Sequence, residues 1–294
     1  MSGISTNRSN IALPTAVSAE ILQKTQEQSA VMSLARQIAL PGRGLTIPVI
    51  TGDPEAAWVD ETAAKPVSNP SLSTKIMQAY KLAVIVPFSD EFVRDMGALY
   101  DALIARLPLA LAQKFDATVF HGTAPGSNFD TFASVTAKTI SGTGNSFYGA
   151  LVACDTAIAT AGGILNGFAM SPQAKGEMLA AVDNNKRPLF VNSVAEGAVP
   201  RLIGAPVSYS KGAYKAGDSN TADVLGFAGD WTQAMYGTVE GVKIDFSDQT
   251  SLPIGANNAM ISLWQNNMIA VRAEIEIGFR ADTNCFAKIT RTHA

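Results

Sequence analysis

Residues Gly44–Ser89 read GLTIPVITGDPEAAWVDETAAKPVSNPSLSTKIMQAYKLAVIVPFS, a pattern that predicts one long two-stranded ribbon. Apolar and polar residues alternate from Leu45 to Val49 and again from Ile76 to Ile85, as in two β-strands. Glycine and proline residues between these strands exclude a regular central strand. Because an isolated two-stranded ribbon is only marginally stable in water, we expect it to lie on another copy of the chain.

Charge is segregated along the predicted ribbon. Its acidic residues are Asp53, Glu55, Asp60 and Glu61 on the outward side, and its basic residues are Lys65, Lys75 and Lys81 on the return side. This pattern could fix register and partner choice against a complementary neighbour. A solvated hairpin whose charges only maintain solubility explains the pattern equally well, because exposed ion pairs contribute only about 0–1 kcal/mol.

The composition favours a packed protein with an unusually uncharged surface. The 294 residues leave room for one large domain or two smaller ones. Hydrophobic residues make up 47%, which excludes global disorder, whereas charged residues make up only 16%. A surface with few charges is expected where much of it contacts neighbours. A net charge of −3 also lacks the basic field of a dedicated nucleic-acid-binding protein.

The cellular location follows from what the termini and cysteines show. The first ten residues are polar and lack the apolar core of a signal peptide. No apolar run approaches the ~18 residues of a membrane-spanning helix, so we expect no membrane contact. Cys154 and Cys285 are expected to be buried free thiols in a reducing compartment. The sequence therefore predicts a cytoplasmic site of synthesis.

The N-terminal segment, residues 1–43, is predicted to be a locally basic arm with a short helix. Its basic residues are Arg8, Lys24, Arg36 and Arg43, against Glu20 and Glu27. Such an arm could face a polyanion. An ordinary solvated arm is the alternative.

A long helix from about Ala98 to Phe120 is predicted by apolar residues that recur every four positions. These residues are Leu99, Leu103, Leu107, Leu111 and Phe115. Gly97 is expected to separate it from a short preceding helix that Ser89 caps, and Pro108 is expected to kink it. The strict alternation from Val271 to Arg280 predicts a long strand with one buried face, which we expect to pack on this helix.

A second lobe is predicted between residues 144 and 258. Its expected elements are a helix over 145–161, a buried strand over 167–170 and a helix that begins at Ser171-Pro172. Short strands are expected at Ile203–Val207 and Val224–Phe227. Lys211–Thr221 is expected to be a surface loop.

No arrangement of residues in the sequence has the pattern of an enzyme. The two histidines, His121 and His293, have no nucleophile motif near them. No His/Cys cluster has the spacing of metal ligands. The glycine-rich segment Ser141–Ser146 lacks the Gly-Lys-Ser/Thr ending of a phosphate loop. We therefore expect no catalytic residue, cofactor or metal.

A series of short motifs points to one family. In chain order they are Leu13-Pro14 with Val17–Ile21, Ala57–Val59 with Glu61 and Pro66, Ser89–Glu91, Asp116-Ala117 with Gly122, Asp183 with Arg187–Leu189, Gly204–Val207, Gly229-Asp230, and Arg272–Glu274 with Gly278-Phe279. With these motifs in this order, the chain from about Leu13 to Thr290 resembles the major capsid proteins of tailed bacteriophages, which have the Hong Kong 97-type capsid fold.

The resemblance implies an α+β fold divided into segments. These are an N-terminal arm (1–43), an extended β-hairpin loop (44–84), a peripheral domain with a spine helix on a long antiparallel sheet (85–143), an axial domain (144–258), and return strands with the C-terminus (259–294). The spine helix would contain Leu103, Pro108 and Leu111. Because the chain begins almost at the arm, we expect either a separate scaffolding protein or prior processing.

The resemblance also implies a function. Many copies would assemble as hexamers and pentamers into an icosahedral virion capsid in the host bacterial cytoplasm, with scaffolding, portal and decoration proteins as possible partners and non-specific contact with packaged double-stranded DNA. An encapsulin-like compartment and an enzyme with an unrecognised site are the alternatives.

Residues of the ribbon and arm are the expected subunit contacts. The set is Trp58, Glu61, Asp53, Glu55, Lys65, Lys75, Lys81, Arg8 and Arg36. Some family members crosslink a loop lysine to a neighbour's asparagine, for which Asn266 and Asn267 are the candidate acceptors. No catalytic carboxylate for that reaction can be identified, so we expect an intact monomer on a denaturing gel.

Overall fold

Two large β-sheets and one long helix form the framework of the described chain. The computed structural model describes residues 15–42, 44–50, 58–59, 72–90, 96–140, 146–182, 185, 187–190, 201–218, 221–254 and 259–292. The helices in these residues are α1 (Thr15–Gln28), α2 (Ala30–Leu34), α3 (Met96–His121), α4 (Ser146–Thr160) and α5 (Pro172–Ala180). The predicted α+β class is confirmed.

The strands form two large sheets and two small ribbons. In chain order they are β1 (Arg36–Ala39), β2 (Leu45–Ile50), β3 (Leu72–Met77), β4 (Tyr80–Ser89), β5 (Thr136–Ile140), β6 (Gly167–Met170), β7 (Arg201–Leu202), β8 (Ala205–Tyr209), β9 (Asp223–Gly229), β10 (Ala234–Thr238), β11 (Lys243–Ser247), β12 (Ser251–Pro253), β13 (Met260–Ser262), β14 (Met268–Ala281) and β15 (Phe286–Arg291). The first sheet has the order β1-β10-β14-β11, with β4 also paired to β14. The second has the order β5-β15-β9-β6-β8-β7, and β2-β3 and β12-β13 are separate two-stranded sheets.

The long strand β14 organises the first sheet. One edge pairs with β4 along Met268–Ile277, and the other edge is shared between β11 and β10. Alternate residues of β14 are buried and packed on α3, as predicted, where Leu107 and Leu111 are each 1% exposed. Burying such a side chain contributes about 1.5–3 kcal/mol, so this contact fixes the helix on the sheet.

The spine helix, α3, is longer than predicted. It begins at Met96, two residues before the predicted start, so Gly97 lies in its first turn; residues 91–95, where the preceding short helix was expected to end, lie outside the described part. Pro108 lies inside it and is buried. Gly122 ends it, with its N–H donating to the Ala117 and Thr118 carbonyls. The Leu103 side chain lies outside the described part.

The ribbon ends earlier than predicted. Its return strand β3 stops at Met77, and β4 pairs with β14 instead of β2, so the predicted end of the extended loop at residue 84 is too late. The buried side switches at the connection, because Met77 is buried and Ile76 is exposed, whereas Tyr80 and Leu82 are half-buried. Apolar and polar residues alternate without a break over 76–85, so the sequence does not show that β3 pairs with β2 while β4 pairs with β14.

Sheet membership also cuts across the predicted segments. Strands β10 and β11 come from the range assigned to the axial domain but lie in the first sheet beside β14. Strands β5 and β15 come from ranges assigned to the peripheral domain and the C-terminus, yet they pair in the second sheet. Pairing between strands distant in sequence is decided by packing, which local periodicity does not report.

The second lobe contains two local corrections. Ile203–Val207, predicted as one strand, includes a hairpin turn at Ile203-Gly204, whose φ angles of 48° and 80° are both positive. The first residues of the predicted loop Lys211–Thr221 form a buried 3-10 turn against α3. Gly212 permits this approach, because a Cβ there would stand 2.6 Å from the Asp116 Cβ. The predicted helix start at Ser171 is confirmed, with its hydroxyl accepting from Ala174 N–H.

Aromatic side chains join the two sheets through a common core. Phe132 stacks on Phe286 of β15 at 4.3 Å between ring centroids and meets Phe279 of β14 edge-on at 5.5 Å. Phe120 of α3 stacks on Phe227 of β9 at 4.7 Å. Aromatic pairs of this kind add about 0.5–1.5 kcal/mol each beyond area burial, so the sheets and α3 are held together.

Candidate subunit interface

The ribbon β2–β3 stands apart from both large sheets. Its strands pair from Leu45 with Met77 to Ile50 with Leu72, and neither joins another strand among the described residues. Leu45 and Ile76 are 37% and 48% exposed. The single subunit therefore presents apolar side chains to solvent on an element that is marginally stable alone.

Trp58 is the most exposed large hydrophobic side chain among the described residues. Its relative exposure is 105%, and the neighbouring Val59 is exposed as well. Tryptophan is highly buried on average, so a side chain like this one is typical of a contact surface. Five other predicted contact residues, Arg8, Asp53, Glu55, Glu61 and Lys65, lie outside the described residues.

The remaining predicted lysines have partners in their own chain. Lys75 donates from Nζ to the Ala281 carbonyl at 3.2 Å. Lys81 lies on β4, not on the ribbon, and pairs with Glu276 at 3.4 Å in an exposed position. Arg36 is exposed on the edge strand β1. The structure thus places these three basic residues at separate points rather than along one surface.

The candidate crosslink acceptors lie at the start of β14. The Asn266 side-chain amide donates to the Ser262 carbonyl at 2.8 Å. Asn267 has a left-handed backbone, with φ at 49°, and its carbonyl accepts from Asp90 N–H. Both residues therefore have roles in the turn that leads into the strand.

The base of the ribbon is held by Arg280 of β14, which the sequence did not single out. Its Nε donates to the Ile76 carbonyl at 2.8 Å, and its two other nitrogens donate to Asp130 at 2.8 Å and Asn128 at 3.2 Å. The side chain is only 11% exposed. In the sequence it has the same alternation as the exposed Arg272, so no local signal distinguishes the two.

The loop after α3 supports the same joint. Asp130 accepts from Ala281 N–H at 3.1 Å and donates its own N–H to the Phe279 carbonyl, so it is docked on β14. Asn128 donates from its side chain to Gln78 and from its backbone to the Tyr80 hydroxyl. The connection between β3 and β4 is therefore fixed from two sides.

The N-terminal helices are fastened to the body by Asp116 of α3. Its carboxylate is fully buried and accepts from Ser29 Oγ at 2.5 Å, Ala30 N at 2.9 Å, Val31 N at 3.3 Å and Ser210 Oγ at 2.6 Å. Burial raises the pKa of Asp116 above its usual 3.8. An acidic residue among the apolar positions of a helix was the available sequence signal.

Asp230 organises the loop between α4 and β6. Its carboxylate accepts from Ile164 N–H, from the Asn166 side chain, and from both the N–H and the hydroxyl of Thr232. Burial alone would raise the pKa of Asp230, but these hydrogen bonds outweigh it and lower the pKa. The Gly229-Asp230 motif thus marks a structural anchor.

Two further exposed apolar sites were not predicted. The β12–β13 ribbon and the turn after it expose Ile254, Met260 and Trp264 by 42%, 64% and 69%. Ile203, at the tip of the β7–β8 hairpin, is 48% exposed. Both sites are at the ends of small hairpins, where a single subunit offers no cover.

The histidine and cysteine environments are structural. Burial lowers the pKa of His121 to about 4, and its Nε2 lies 2.9 Å from the Gly212 carbonyl. Cys154 and Cys285 are buried free thiols, and burial raises the pKa of Cys154 to about 12. Within the described residues, no group of three or more His, Cys, Asp or Glu could hold a metal ion. No helix in that part of the chain has the length and hydropathy to cross a membrane.

Comparison with known proteins gives a consistent result. The model of the phage capsid family matches residues 10–289. A probable major capsid protein of Mycobacterium phage L5 is 30% identical over 286 residues, covering 92% of this chain and 86% of that protein. A solved chain from Gordonia phage Cozz matches with a TM-score of 0.71 at 23% identity, over 91% of this chain and 88% of that one. The capsid of an empty GTA particle matches with a TM-score of 0.64 at 15% identity, over 90% of each chain.

The chain belongs to the phage capsid family. It functions as a major capsid protein, the structural subunit that many copies of the chain build into a virion shell. The predicted Hong Kong 97-type fold is confirmed by the structural matches. Because the family is structural, the chain is not an enzyme, and the encapsulin-like alternative is not favoured.

Proposed function

We propose that the subunit assembles as hexamers and pentamers into an icosahedral head, and that the ribbon lies across a neighbouring copy. The observation that carries this proposal is the ribbon itself, which pairs with no other described strand, and the fully exposed Trp58 lies between its two strands in sequence. A tryptophan buries about 150–250 Å² on contact, enough to anchor an interface. The acidic residues between β2 and β3, which are Asp53, Glu55, Asp60 and Glu61, then meet a basic surface of the neighbour and fix the register of the ribbon.

The N-terminal segment is proposed to face packaged double-stranded DNA. Arg36 is exposed on an edge strand that follows the anchored helices, and Arg8 adds charge to the same segment. Contacts of this kind are non-specific and weaken with salt.

Other contacts between subunits are proposed at the exposed hairpins. Trp264 and Met260 on one hairpin, Ile203 on another, and the loop over Lys211–Thr221 offer surface that a neighbouring subunit could cover. Scaffolding, portal and decoration proteins, and assembly in the cytoplasm of the bacterial host, complete the proposed function.

The test compares ribbon variants with the native protein by light scattering and negative-stain microscopy. Native protein is expected to form uniform megadalton particles, or capsomers where a scaffold is required. Trp58→Ala and Glu61→Lys should keep the native circular dichroism spectrum but lose assembly, because the interface loses its anchor or its charge match. Trp58→Phe, which keeps an aromatic ring, should assemble.

Wild-type-like shells from both Trp58→Ala and Glu61→Lys would contradict the proposal that the ribbon forms part of the interface between copies. A native protein that stays monomeric at high concentration, with no scaffold dependence, would contradict self-assembly itself.

A further inference from the structure

The ribbon joint consists of the connection Ile76–Tyr80 and the three side chains around it, Arg280, Asp130 and Asn128. At this joint the chain leaves the two-stranded ribbon and enters the large sheet, and the buried side of the strand changes. The orientation of the ribbon relative to the body therefore depends on this joint.

Arg280 is the residue that links the ribbon to the body at this joint. Its guanidinium is planar and offers donors in a fixed fork, so three bonds in three directions orient it strongly. One of these bonds reaches the ribbon at the Ile76 carbonyl, and the others reach the loop after α3. The Arg280 and Asp130 side chains are 11% and 21% exposed, so their ion pair is partly shielded from water and stronger than a surface pair.

The loop does not need Arg280 to stay in place. Asp130 is docked on β14 through the backbone of Ala281 and Phe279. Loss of Arg280 would therefore leave the loop docked while the Ile76 carbonyl loses its donor. Among the described residues, one other side chain links the ribbon strands to β14: Lys75 donates from Nζ to the Ala281 carbonyl at 3.2 Å.

A small rotation at the joint is amplified along the ribbon. Strands β2 and β3 have six residues each, about 20 Å of ribbon, and a tilt of about 10° moves the far end by about 3–4 Å. Interfaces pack as densely as protein interiors, so a shift of that size would remove the contacts of the ribbon.

We propose that Arg280 is the positioning residue that fixes the direction in which the ribbon leaves the subunit, and thereby which surface of the neighbouring copy it reaches. This inference rests on the proposed role of the ribbon as a contact between copies. It assigns the geometry of the contact between copies in part to a partly buried ion pair within one subunit.

The experiment compares Arg280→Gln and Arg280→Lys with Arg272→Gln. Arg272 lies on the same strand and loses the same charge, but its partners Asp245 and Glu274 are outside the joint. Spin labels on Thr74→Cys, at an exposed position of β3, and on Ala159→Cys, at an exposed position of α4, report the distance between the ribbon and the body in unassembled subunits. The native Cys154 and Cys285 are buried and should remain unlabelled.

Arg280→Gln is expected to broaden the distance distribution and to yield fewer closed particles with a wider range of diameters. Arg280→Lys keeps the charge but not the fork, so it should keep the Asp130 contact and still broaden the distribution. Arg272→Gln should match the native protein in distance and diameter. Circular dichroism checks that all three variants are folded, and Arg280→Lys carries the test where Arg280→Gln is unfolded.

Native distances and diameters in Arg280→Lys, together with loss of assembly in Trp58→Ala, would overturn the positioning role and leave the interface standing. Full assembly of Trp58→Ala would instead overturn the interface, whatever the Arg280 variants do. A change in Arg272→Gln equal to that in Arg280→Lys would also overturn the inference, because charge on β14 would then be the cause.

Discussion

Two serine hydroxyls and two backbone N–H groups donate to the buried carboxylate of Asp116. None of these donors carries a charge, so burial dominates and the pKa of Asp116 is raised above 3.8. The folded subunit therefore holds a proton in a pH range where the unfolded chain does not. The contribution of Asp116 to the free energy of unfolding is therefore fully present below pH 3.8, and it is lost as the pH rises through the raised pKa of the folded state.

Asp116→Asn is expected to destabilise the unassembled subunit by about 1–3 kcal/mol at acid pH, because an amide NH₂ must face the N–H of Ala30 or Val31. The cost should become smaller toward neutral pH, where the native protein holds a buried charge that the variant lacks. Urea unfolding at several pH values measures both effects.

Asp155→Asn is the control for this measurement, since Asp155 is exposed on α4. Its unfolding free energy should follow the native protein across the same pH range. A cost of Asp116→Asn that grows with pH would contradict the assigned sign.

At the scale of single elements, the spine helix contains Pro108, and proline disfavours a helix interior because it lacks a backbone N–H donor. Pro108→Ala restores a backbone donor toward the Ile104 carbonyl and removes a penalty of about 3 kcal/mol within the helix. We expect the subunit to stay folded, the helix to straighten, and the size or yield of the shells to change. Particle diameters by electron microscopy provide the measurement.

Lys114→Ala, at an exposed position of the same helix, should leave the particles unchanged. If the diameters and yield of Pro108→Ala shells equal those of native shells, the kink predicted at Pro108 has no role in assembly.

Elements with a strong internal period could be predicted from the sequence. The buried alternation of β14 and the apolar stripe of α3 depend on residues within one segment, and both were placed correctly. The transfer of β4 to β14 depends on a partner almost two hundred residues away, which no local pattern shows. The turn at Ile203 was missed because a β-branched residue rarely adopts a positive φ.

The residues of the candidate interface divide in the same way, into those that the local sequence predicts and those that depend on tertiary contacts. Trp58 could be singled out because a large aromatic in a polar, proline-rich segment is unusual, and it is exposed. Arg280 could not be singled out from the sequence, because its ion pair with Asp130 exists only once the loop that contains Asp130 has folded onto β14. Side chains whose role depends on tertiary contacts have no separate signal in composition or spacing.

At the scale of the whole molecule, the shell is expected to be held by non-covalent contacts. Lys75 and Lys81 have partners within the chain, and the Asn266 side chain bonds to Ser262. Boiled particles should therefore run as a single band near the subunit mass of 30.8 kDa. A ladder of higher bands that resists reducing agent would show covalent linkage and contradict this expectation.

The order of the strands has a consequence for synthesis. Strand β14 joins β4, β10 and β11, and β15 lies between β5 and β9, yet both follow all of these partners along the chain. The ribosome makes the partner strands first, so neither sheet can be completed while the nascent chain lacks β14 and β15. In subunits emerging side by side on one messenger RNA, the ribbon is therefore made early, but it acquires its bond to Arg280 of β14 only near the end of translation.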